Sequence, residues 1–480
     1  MYIKLLSPTA VTVITGLINH CFSESTVPKI WKKARIRPLY KSGIKSLPSN
    51  YRPISVLPEI SKIMERLVFN KLFDYLIDNS LLSDCQFGFR PKHSCTDAQL
   101  SILKTVHSSL SVNKKVCLVT LDIQKAFDSV NHSLLLNKLQ NIGCDQQSID
   151  CFTSYLTNRT QFVKIGNKIS NLLEVKIGVP QGSVLGSLLF CLFINDLMHT
   201  IIDGTLYLYA DDSSLICSAD TYEELENIVN TSLNSINNWM KNNGLALNYK
   251  KSNYFIVNLS GRAIPSININ IDGNSIQRVS NTKILGLYFD NRLVFDKHID
   301  YICKNISKRI NLFARLQYVL PKDSLNMLYK ALIQPTLDYG ISLYGYTYKT
   351  HYERVDKLIK RAAKLIGPSN HIKNIDVLYK RLNWFSFEER RHYFSSIFIY
   401  RCLNKIAPNI CCDFFKIKES GIHTRSASNE LLVAPNPKTT AFKNTIFYTG
   451  IQHYNSLNLN LRKCRDFKKF KADLKSFIIS

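Results

Sequence analysis

Residues 205–217 read TLYLYADDSSLIC, with the adjacent aspartates Asp211 and Asp212 between two runs of apolar and aromatic residues. Such residues favour β-strands, so the stretch predicts a hairpin whose apolar side chains are buried and whose acids lie at the tip. Two neighbouring carboxylates repel each other. Water tolerates that repulsion in a simple polar turn, and a divalent cation between the oxygens relieves it, so this stretch alone leaves both interpretations open.

A second apolar run, residues 116–121, ends directly at Asp122 and is followed by the predicted start of a helix at residues 123–128. The chain between Asp122 and Asp211 is long enough for helices that bring the two strands side by side in one sheet. Three carboxylates at one edge would hold two magnesium ions about 3.5–4 Å apart, an arrangement that serves in-line phosphoryl displacement. The two stretches together therefore predict nucleotidyl transfer.

The chain is strongly basic, with 62 lysines and arginines against 36 acidic residues and a net charge of +26. Because basic side chains bind phosphates and release condensed counterions, a polyanionic partner is the first expectation, and a generally basic surface is the alternative. Hydrophobic residues make up 45% and charged residues 20% of the 480 residues, which excludes a disordered chain and is typical of a globular protein.

The cysteines and the N-terminal sequence predict an intracellular protein. The 13 cysteines lie mostly in apolar or mixed segments without a Cys-x-x-Cys pair, as expected of reduced core residues. The apolar run at residues 11–18 is too short to span a bilayer and lacks the features of a signal peptide, so no membrane partner is expected. The basic pairs Lys32-Lys33 and Lys360-Arg361 indicate either nuclear entry or solvated helix faces, and we expect the nucleus and cytoplasm.

Helical spacing of apolar residues recurs along the chain. It predicts amphipathic helices over residues 60–78 and 222–240, and basic helical segments over residues 298–319, 322–332 and 352–366. Basic helices of this kind are suited to gripping a nucleic-acid duplex by its phosphates.

Five short motifs occur in one order: NYRPIS at residues 50–55, QFGFR at 86–90, LDIQKAFD at 121–128, GVPQGS at 178–183 and YADD at 209–212. In this order and spacing the sequence resembles the reverse transcriptases of non-LTR retrotransposons, of the jockey-like or LINE type. The resemblance extends over most of the chain. No N-terminal endonuclease precedes these motifs, so we expect a truncated copy of such an element protein.

The resemblance implies an α+β fold, that of a right-hand polymerase. Fingers and palm would be formed by an antiparallel sheet plus helices, followed by a helical thumb and a C-terminal helical extension. The implied domains are an N-terminal helical segment, fingers and palm, thumb, and C-terminal extension, at residues 1–34, 35–290, 291–368 and 369–480.

The reaction implied by the resemblance is RNA-directed DNA synthesis, in which deoxynucleoside triphosphates are added to the 3′-hydroxyl of a DNA primer on an RNA template. Two Mg²⁺ ions, or Mn²⁺ in their place, would be held by Asp122, Asp211 and Asp212 together with the backbone carbonyl of Ile123. Lys251 stands where the family has a lysine near the departing pyrophosphate, which it would protonate or stabilise. A solvent-facing lysine is the equally open alternative.

The resemblance also implies a nucleotide pocket. Arg52 would bind triphosphate oxygens, and Arg90 would lie near the template and the incoming nucleotide. Phe127 would pack beneath the sugar and exclude a 2′-hydroxyl by steric clash. Gln181 and Gly182 would line the pocket opposite the template base. The alternatives are a surface ion pair for Arg52 and core packing for Phe127 and for the aromatic residues beside Arg90.

Residues 283–290 resemble the primer-grip strand of the family, with Leu285 and Gly286 against the primer. The sequence departs from the family at Ser187, where Gly-Pro is common and Gly-Ser occurs here, so the preset backbone angle of proline is lost at a helix start. A catalytically silent nucleic-acid-binding remnant and a group II intron-type reverse transcriptase are the alternative interpretations. The oligomeric state is not predicted.

Overall fold

The structure, a computed structural model, describes residues 7–367, 374–418 and 430–479. Helices and strands alternate in the first part of this range, and helices alone make up most of the rest. The helices are α1 (Pro8–Ser23), α2 (Glu59–Asp78), α3 (Cys95–Ser111), α4 (His132–Asn141), α5 (Gln146–Leu156), α6 (Val184–Phe193), α7 (Tyr222–Asn242), α8 (Asp296–Leu316), α9 (Lys322–Leu328), α10 (Gln334–Asp338), α11 (Ile341–Tyr344), α12 (Lys349–Ile366), α13 (Ile375–Leu382), α14 (Phe387–Leu403), α15 (Asn409–Cys412), α16 (Thr440–Lys443), α17 (Ile451–Asn455), α18 (Leu459–Lys463) and α19 (Phe467–Ile479).

The strands form two larger sheets and two isolated hairpins. They are β1 (Lys33–Tyr40), β2 (Tyr51–Val56), β3 (Lys115–Asp122), β4 (Arg159–Ile165), β5 (Lys168–Ile169), β6 (Leu173–Val175), β7 (Thr205–Tyr209), β8 (Asp212–Ala219), β9 (Asn253–Ile256), β10 (Asn270–Ile271), β11 (Asn274–Ser275), β12 (Gln277–Arg278), β13 (Asn281–Ile284) and β14 (Leu287–Asp290).

A five-stranded sheet lies at the centre, in the order β12-β9-β3-β8-β7. Its strand β3 is antiparallel to both β8 and β9. Because side chains alternate between the two faces of a strand, each face of this sheet builds its own core. Leu118 of β3 packs into a first core with α3 and the helices from α8 onward, whereas its neighbour Val119 packs into a second core with α2 and α4–α7.

A second sheet carries the segment that contains Arg52. It has the order β2-β1-β4-β5, with β6 also paired to β4. Strand β1 runs antiparallel to β2 and parallel to β4. Ala34, Ile36 and Leu57 form its small buried cluster, with Val163 packed against them. This sheet holds β2 beside the loop that carries Gln181, because the Ser55 N–H donates to the Gln181 carbonyl oxygen at 2.7 Å.

Several helices begin where a short polar side chain caps the first turn. Ser94, Asn131, Ser183 and Thr221 each accept a hydrogen bond from a backbone N–H of the turn that follows, which satisfies a donor with no intrahelical partner. Ser386 begins α14 with a complete capping box. Local sequence thus fixes the first residue of each of these helices.

The predicted α+β class is confirmed, as are the hairpin at residues 205–217 and the strand that ends at Asp122. The basic helical segments correspond to α8, to α9 with a π-helical turn at Tyr329–Ile333, and to α12. Residues 283–290 were predicted as one strand, which is wrong. They span the two-strand hairpin of β13 and β14, because Leu285 and Gly286 adopt φ of 46° and 91° and turn the chain back.

The predicted domain boundaries remain predictions. Residues 1–6, 368–373, 419–429 and 480 of the predicted terminal domains lie outside the described residues. The first core does not divide at residue 368, since it contains buried residues of α3, of the helices before that position and of those after it. Among the described residues, no helix combines the length and the apolar character needed to cross a bilayer.

The two basic pairs are engaged within the fold rather than free. Lys32 is buried, and burial lowers the pKa of its ammonium, while the Lys33 ammonium lies over the Phe162 ring. Lys360 forms an ion pair with Asp356 at 2.7 Å.

Candidate active site

The three aspartates lie at the same end of the central sheet. Asp122 and Asp212 are direct partners in the antiparallel ladder of β3 and β8, so their Cα atoms are about 5 Å apart. Asp211 follows Ala210 in the two-residue turn between β7 and β8, and Ala210 has φ of 55°. Strand register therefore brings together two motifs that lie far apart in sequence.

The loop that begins at Gln86 contacts this aspartate turn. The Phe87 N–H donates to the Leu208 carbonyl oxygen at 2.8 Å, and the side-chain oxygen of the fully buried Gln86 accepts from the N–H groups of Gly88 and Ala210 at 2.9 and 3.4 Å. A Cβ added to Gly88 would lie 2.4 Å from the Ala210 nitrogen. Sequence reasoning missed the role of Gln86, although the glycine two positions later signals a close backbone approach.

The carboxylates influence one another electrostatically. Asp212 is accessible to solvent, but the surrounding protein removes part of its hydration. This desolvation, together with the neighbouring Asp211 and Asp122 carboxylates, raises the pKa of Asp212, while Arg52 and Lys41 act in the opposite direction. The site thus concentrates negative charge opposite a basic wall.

Asp122 already has side-chain partners. The Asn248 amide donates to Asp122 Oδ2 at 3.1 Å, and Lys251 Nζ lies 3.7 Å from the same oxygen. The Asn248 N–H also donates to the Asp122 carbonyl oxygen at 2.8 Å. Asn248 was not singled out from the sequence, because nothing in its local pattern distinguishes it from other loop residues.

The donor atoms fit a hard divalent cation, since Mg²⁺ prefers carboxylate and carbonyl oxygens. In residues 7–367, 374–418 and 430–479, however, no three His, Cys, Asp or Glu side chains converge closely enough to hold a metal ion. Coordination of one ion by all three aspartates would therefore require side-chain movement, and Lys251 lies beside the Asp122 oxygen that would act as a ligand. Ile123 follows Asp122 and forms a β-bridge with Leu247, which fixes its backbone beside the site.

A cavity of about 620 Å³ opens in front of Asp122 and Asp211. Its lining includes most of the residues that the sequence predicts to bind substrate: Arg52, Phe127, Gln181, Gly182 and Lys251. Lys41, Lys125, Tyr51 and Asn248 also line it and were not predicted, and so does Phe89, one of the aromatic residues beside Arg90. Arg52 and the three lysines are exposed, so their charges remain available to an anionic ligand.

Phe127 lines this cavity and also packs into the protein. Its ring stacks on Phe190 at 4.5 Å between centroids and meets the edge of Phe89 at 6.1 Å. Phe127 belongs to the 3₁₀ turn Ala126–Ser129. This turn follows Lys125, which has a left-handed backbone conformation with φ of 45°. The Phe127 ring thus packs against the core and also lines the cavity, and its contact with a nucleotide sugar stays a prediction.

The Pro180-Gln181-Gly182 turn is held by contacts with Asp128 on one side and with Ser55 on the other. The Gln181 amide nitrogen donates to Asp128 Oδ1 at 2.9 Å, and burial raises the pKa of Asp128. Gly182 has φ of 112°, and a Cβ there would lie 2.9 Å from the Ser55 carbonyl oxygen. These contacts fix the position of Gln181 between the fingers strand β2 and the turn that carries Phe127.

Ser187 also lies at this cavity, and its hydroxyl donates to the Val184 carbonyl oxygen at 3.1 Å. The Ser183 side chain caps α6 by accepting from the Gly186 N–H at 2.9 Å. The helix therefore starts normally without the proline of the family pattern.

Arg90 is not brought to this cavity. Its guanidinium points inward and donates to the carbonyl oxygens of Ser83 and Gln86 at 2.6 and 3.1 Å. Burial lowers the pKa of this group. Arg90 therefore stabilises the loop that contacts the aspartate turn.

The candidate primer grip lies on the other side of the sheet edge. Leu285 lines a small cavity of about 40 Å³ together with Asp212 and Lys283. The Tyr339 hydroxyl donates to the Leu285 carbonyl oxygen, and the Tyr339 ring lies 3.2 Å from the position of a Cβ at Gly286. The β13–β14 turn is thus close to Asp212 and is held by Tyr339, which directly follows α10.

Comparison with known proteins agrees with this geometry. Residues 32–289 match the sequence model of the family described as reverse transcriptase (RNA-dependent DNA polymerase). The chain is 29% identical over 402 residues to the probable RNA-directed DNA polymerase from transposon BS of Drosophila melanogaster, covering 81% of this chain and 44% of that protein. It is also 29% identical over 394 residues to the RNA-directed DNA polymerase from mobile element jockey of the same species, covering 78% and 42%.

The retrovirus-related Pol polyprotein from type-1 retrotransposable element R1 of Bradysia coprophila is 26% identical over 382 residues, with 77% of this chain and 37% of that protein covered. The chain thus spans less than half the length of these relatives. Among solved structures, telomerase from Candida albicans, in complex with a fragment of telomeric RNA, matches 75% of this chain and 68% of its own at 12% identity and a TM-score of 0.43.

Proposed function

This chain belongs to the reverse transcriptase (RNA-dependent DNA polymerase) family, and from that premise we propose that it extends a DNA primer by copying an RNA template. The observation that carries the proposal is the register of β3 and β8, with Asp122 directly opposite Asp212 beside a cation-lined cavity. Carboxylates at a strand end next to exposed basic side chains are what nucleotidyl transfer from a triphosphate needs.

The metal site would consist of Asp122, Asp211, Asp212 and the Ile123 carbonyl oxygen. Two Mg²⁺ ions, or Mn²⁺, would supply activation of the primer hydroxyl and charge neutralisation on the triphosphate. Before binding, Lys251 neutralises part of the Asp122 charge, as its 3.7 Å separation from that carboxylate indicates. Once released from Asp122, Lys251 would be available to the pyrophosphate that leaves.

Different residues of the cavity would contact the triphosphate, the sugar and the base of the nucleotide. Arg52 would bind the triphosphate oxygens through its planar guanidinium. Phe127 would press on the sugar and reject a 2′-hydroxyl, because its stacking on Phe190 keeps the ring from moving away. Gln181 and Gly182 would form the remaining wall, which is anchored to β2 through Ser55.

The primer end would rest against the β13–β14 turn at Leu285 and Gly286. Leu285 and Asp212 line the same small cavity, which supports a primer terminus held next to the carboxylates. Glycine at position 286 leaves room for the Tyr339 ring behind the turn, and its exposed backbone would face the primer.

Primer extension tests the proposal directly. Matched RNA and DNA templates are compared in the presence of Mg²⁺ for the wild type, Asp211→Ala, Asp212→Ala and the control Asp220→Ala, whose exposed carboxylate lies just beyond the far end of β8. Extension on RNA that the first two variants lose and the control keeps is the expected result. If folded wild-type protein binds the duplex but extends neither template, the polymerase proposal fails and the nucleic-acid-binding remnant takes its place.

A further inference from the structure

A buried ion pair joins the start of α3 to a helix more than three hundred residues away. Asp97 in the first turn of α3 has 0% of its surface exposed, and Arg401 of α14 contacts both of its oxygens, at 3.0 and 3.2 Å. The Arg401 side chain is 20% exposed. A bidentate guanidinium is the strongest partner that a buried carboxylate can have, so this contact fixes the two helices against each other.

The same guanidinium reaches the loop before α3. Its second terminal nitrogen also donates to the Lys92 carbonyl oxygen at 3.0 Å, at a residue with φ of 65°. This loop begins at Gln86 and Gly88, which contact the turn that carries Asp211. Arg401 therefore holds the far end of the segment whose near end supports the aspartates.

Further into the first turns of α3, a second buried side chain holds the candidate primer grip. The Gln99 amide nitrogen donates to the carbonyl oxygens of Ile284 and Leu285, both at 3.0 Å. Gln99 and Asp97 lie two residues apart on one helix, so a shift of that helix end moves both contacts together. The helix start is thus shared between the C-terminal helices and the β13–β14 turn.

Further contacts make the junction rigid. The Ser101 hydroxyl and the Cys411 sulfur are 3.4 Å apart, and the Asn409 amide lies 3.4 Å from Asp84 Oδ1. His107 near the end of α3 meets the edge of Phe442 at 5.4 Å. Helix α3 is therefore clamped along its length by residues that follow position 374.

We propose that Arg401 is a positioning residue for the primer terminus. The described C-terminal residues, 374–418 and 430–479, would act through Arg401, Asp97 and Gln99 to set the position of the Leu285-Gly286 turn relative to Asp212. This inference rests on the proposed polymerase function, because only a primer end gives that turn a ligand. In this proposal the C-terminal extension affects the geometry of the active centre, in addition to any contact that it makes with nucleic acid.

The test uses the full chain and separates positioning from folding. Arg401→Met leaves a buried charge without its partner, so the informative protein is the double variant Asp97→Asn with Arg401→Met, in which that charge is also removed. Arg401→Lys keeps the positive charge but loses the planar guanidinium that contacts both oxygens of Asp97. The matched control is Arg465→Met, which removes an ion pair of the same C-terminal region, to Glu430 at 2.6 Å, from a side chain that is 62% exposed.

Two readouts are compared with the wild type. In the double variant we expect faster amide hydrogen exchange at residues 85–94 and 281–290, and a KM for primer–template raised about tenfold, while the KM for the deoxynucleotide is unchanged. Arg401→Lys should lie between wild type and double variant, and Arg465→Met should match the wild type.

Unchanged exchange in both segments, or equal changes in both KM values, would overturn the inference. The exchange measurement needs no turnover. A wild type that fails to extend any primer therefore counts against the polymerase proposal, whereas unchanged exchange counts against Arg401 alone.

Discussion

At the scale of single residues, Gly88 is the tightest point of the candidate site. A Cβ there would lie 2.4 Å from the backbone nitrogen of Ala210, and backbone cannot give way as a flexible side chain can. Gly88→Ala should therefore displace the Asp211 turn and lower the rate of primer extension about 100-fold, because small misplacements of reacting groups are that costly. Single-turnover extension with a saturating primer–template measures this effect.

Gly16→Ala is the control for that substitution. Gly16 lies in α1 with no atom within 4 Å of the added Cβ, so alanine should keep full activity and stabilise the protein by about 0.5–1 kcal/mol. If Gly88→Ala is folded and extends primers at the wild-type rate, the aspartate turn does not depend on the loop that contains Gly88.

Residue identities were predictable where chemistry dictates the residue type. Aspartates at strand ends, an arginine before a proline and glycines at tight turns all lie at or beside the cavity as expected. Arg90 and Gln86 were not predictable, because no periodicity fixes side-chain direction in a loop whose residues Phe89 and Lys92 adopt positive φ. Both turn inward to satisfy backbone groups, which the sequence does not reveal.

At the scale of elements, α2 and α6 meet through one buried carboxylate. Glu65 accepts from the N–H groups of Val184 and Leu185 at 2.7 and 3.2 Å, at the first residues of α6. Burial raises the pKa of Glu65, and these hydrogen bonds only partly oppose the effect. A carboxyl whose folded-state pKa is raised contributes stability below its unfolded pKa of about 4, and this contribution is lost as pH rises through the folded value.

Glu65→Gln should remove that pH dependence while keeping an acceptor for α6. The free energy of unfolding of the variant minus that of the wild type should therefore increase between about pH 4 and pH 7, because only the wild type loses stability as Glu65 ionises; urea denaturation at each pH measures it. Glu59→Gln, on an exposed side chain of the same helix, should show no comparable trend. A constant difference across the range would mean that Glu65 is no harder to ionise in the folded protein.

Elements with a strong local pattern were predicted well. The spacing of apolar residues gave α2 and α7, and the β-branched run gave β3 up to Asp122. The β13–β14 hairpin was missed, because Leu285 enters the left-handed region without being the glycine or asparagine that usually marks such a turn. Long-range register, with Asp122 opposite Asp212, followed only once the chemistry of three carboxylates was considered.

At the scale of the whole molecule, the predicted boundary between thumb and C-terminal extension stays a prediction, and one core spans it. The first core contains α3, the helices α8–α12 and the buried residues of α14 and α19 together. Apolar periodicity identifies the buried face of each helix but not the element that covers it. The ion pair between Asp97 and Arg401 lies between residues too distant in sequence for any local pattern to connect them.

This continuity leads to a prediction about truncation. A chain that ends at residue 367 loses Arg401, the partner of Asp97, and Phe447, which lies against Lys104 of α3, and it loses all the buried residues that α14 and α19 contribute to the first core. Exposed apolar surface of this extent promotes aggregation, and the buried Asp97 would lose its partner as well. We expect the truncated protein to be insoluble or to unfold without a cooperative transition in calorimetry, and co-expression of residues 368–480 as a second chain to restore solubility. A soluble truncated protein with one sharp transition would instead mean that the core closes without the C-terminal helices, and the boundary near residue 368 would then separate two independently folding domains.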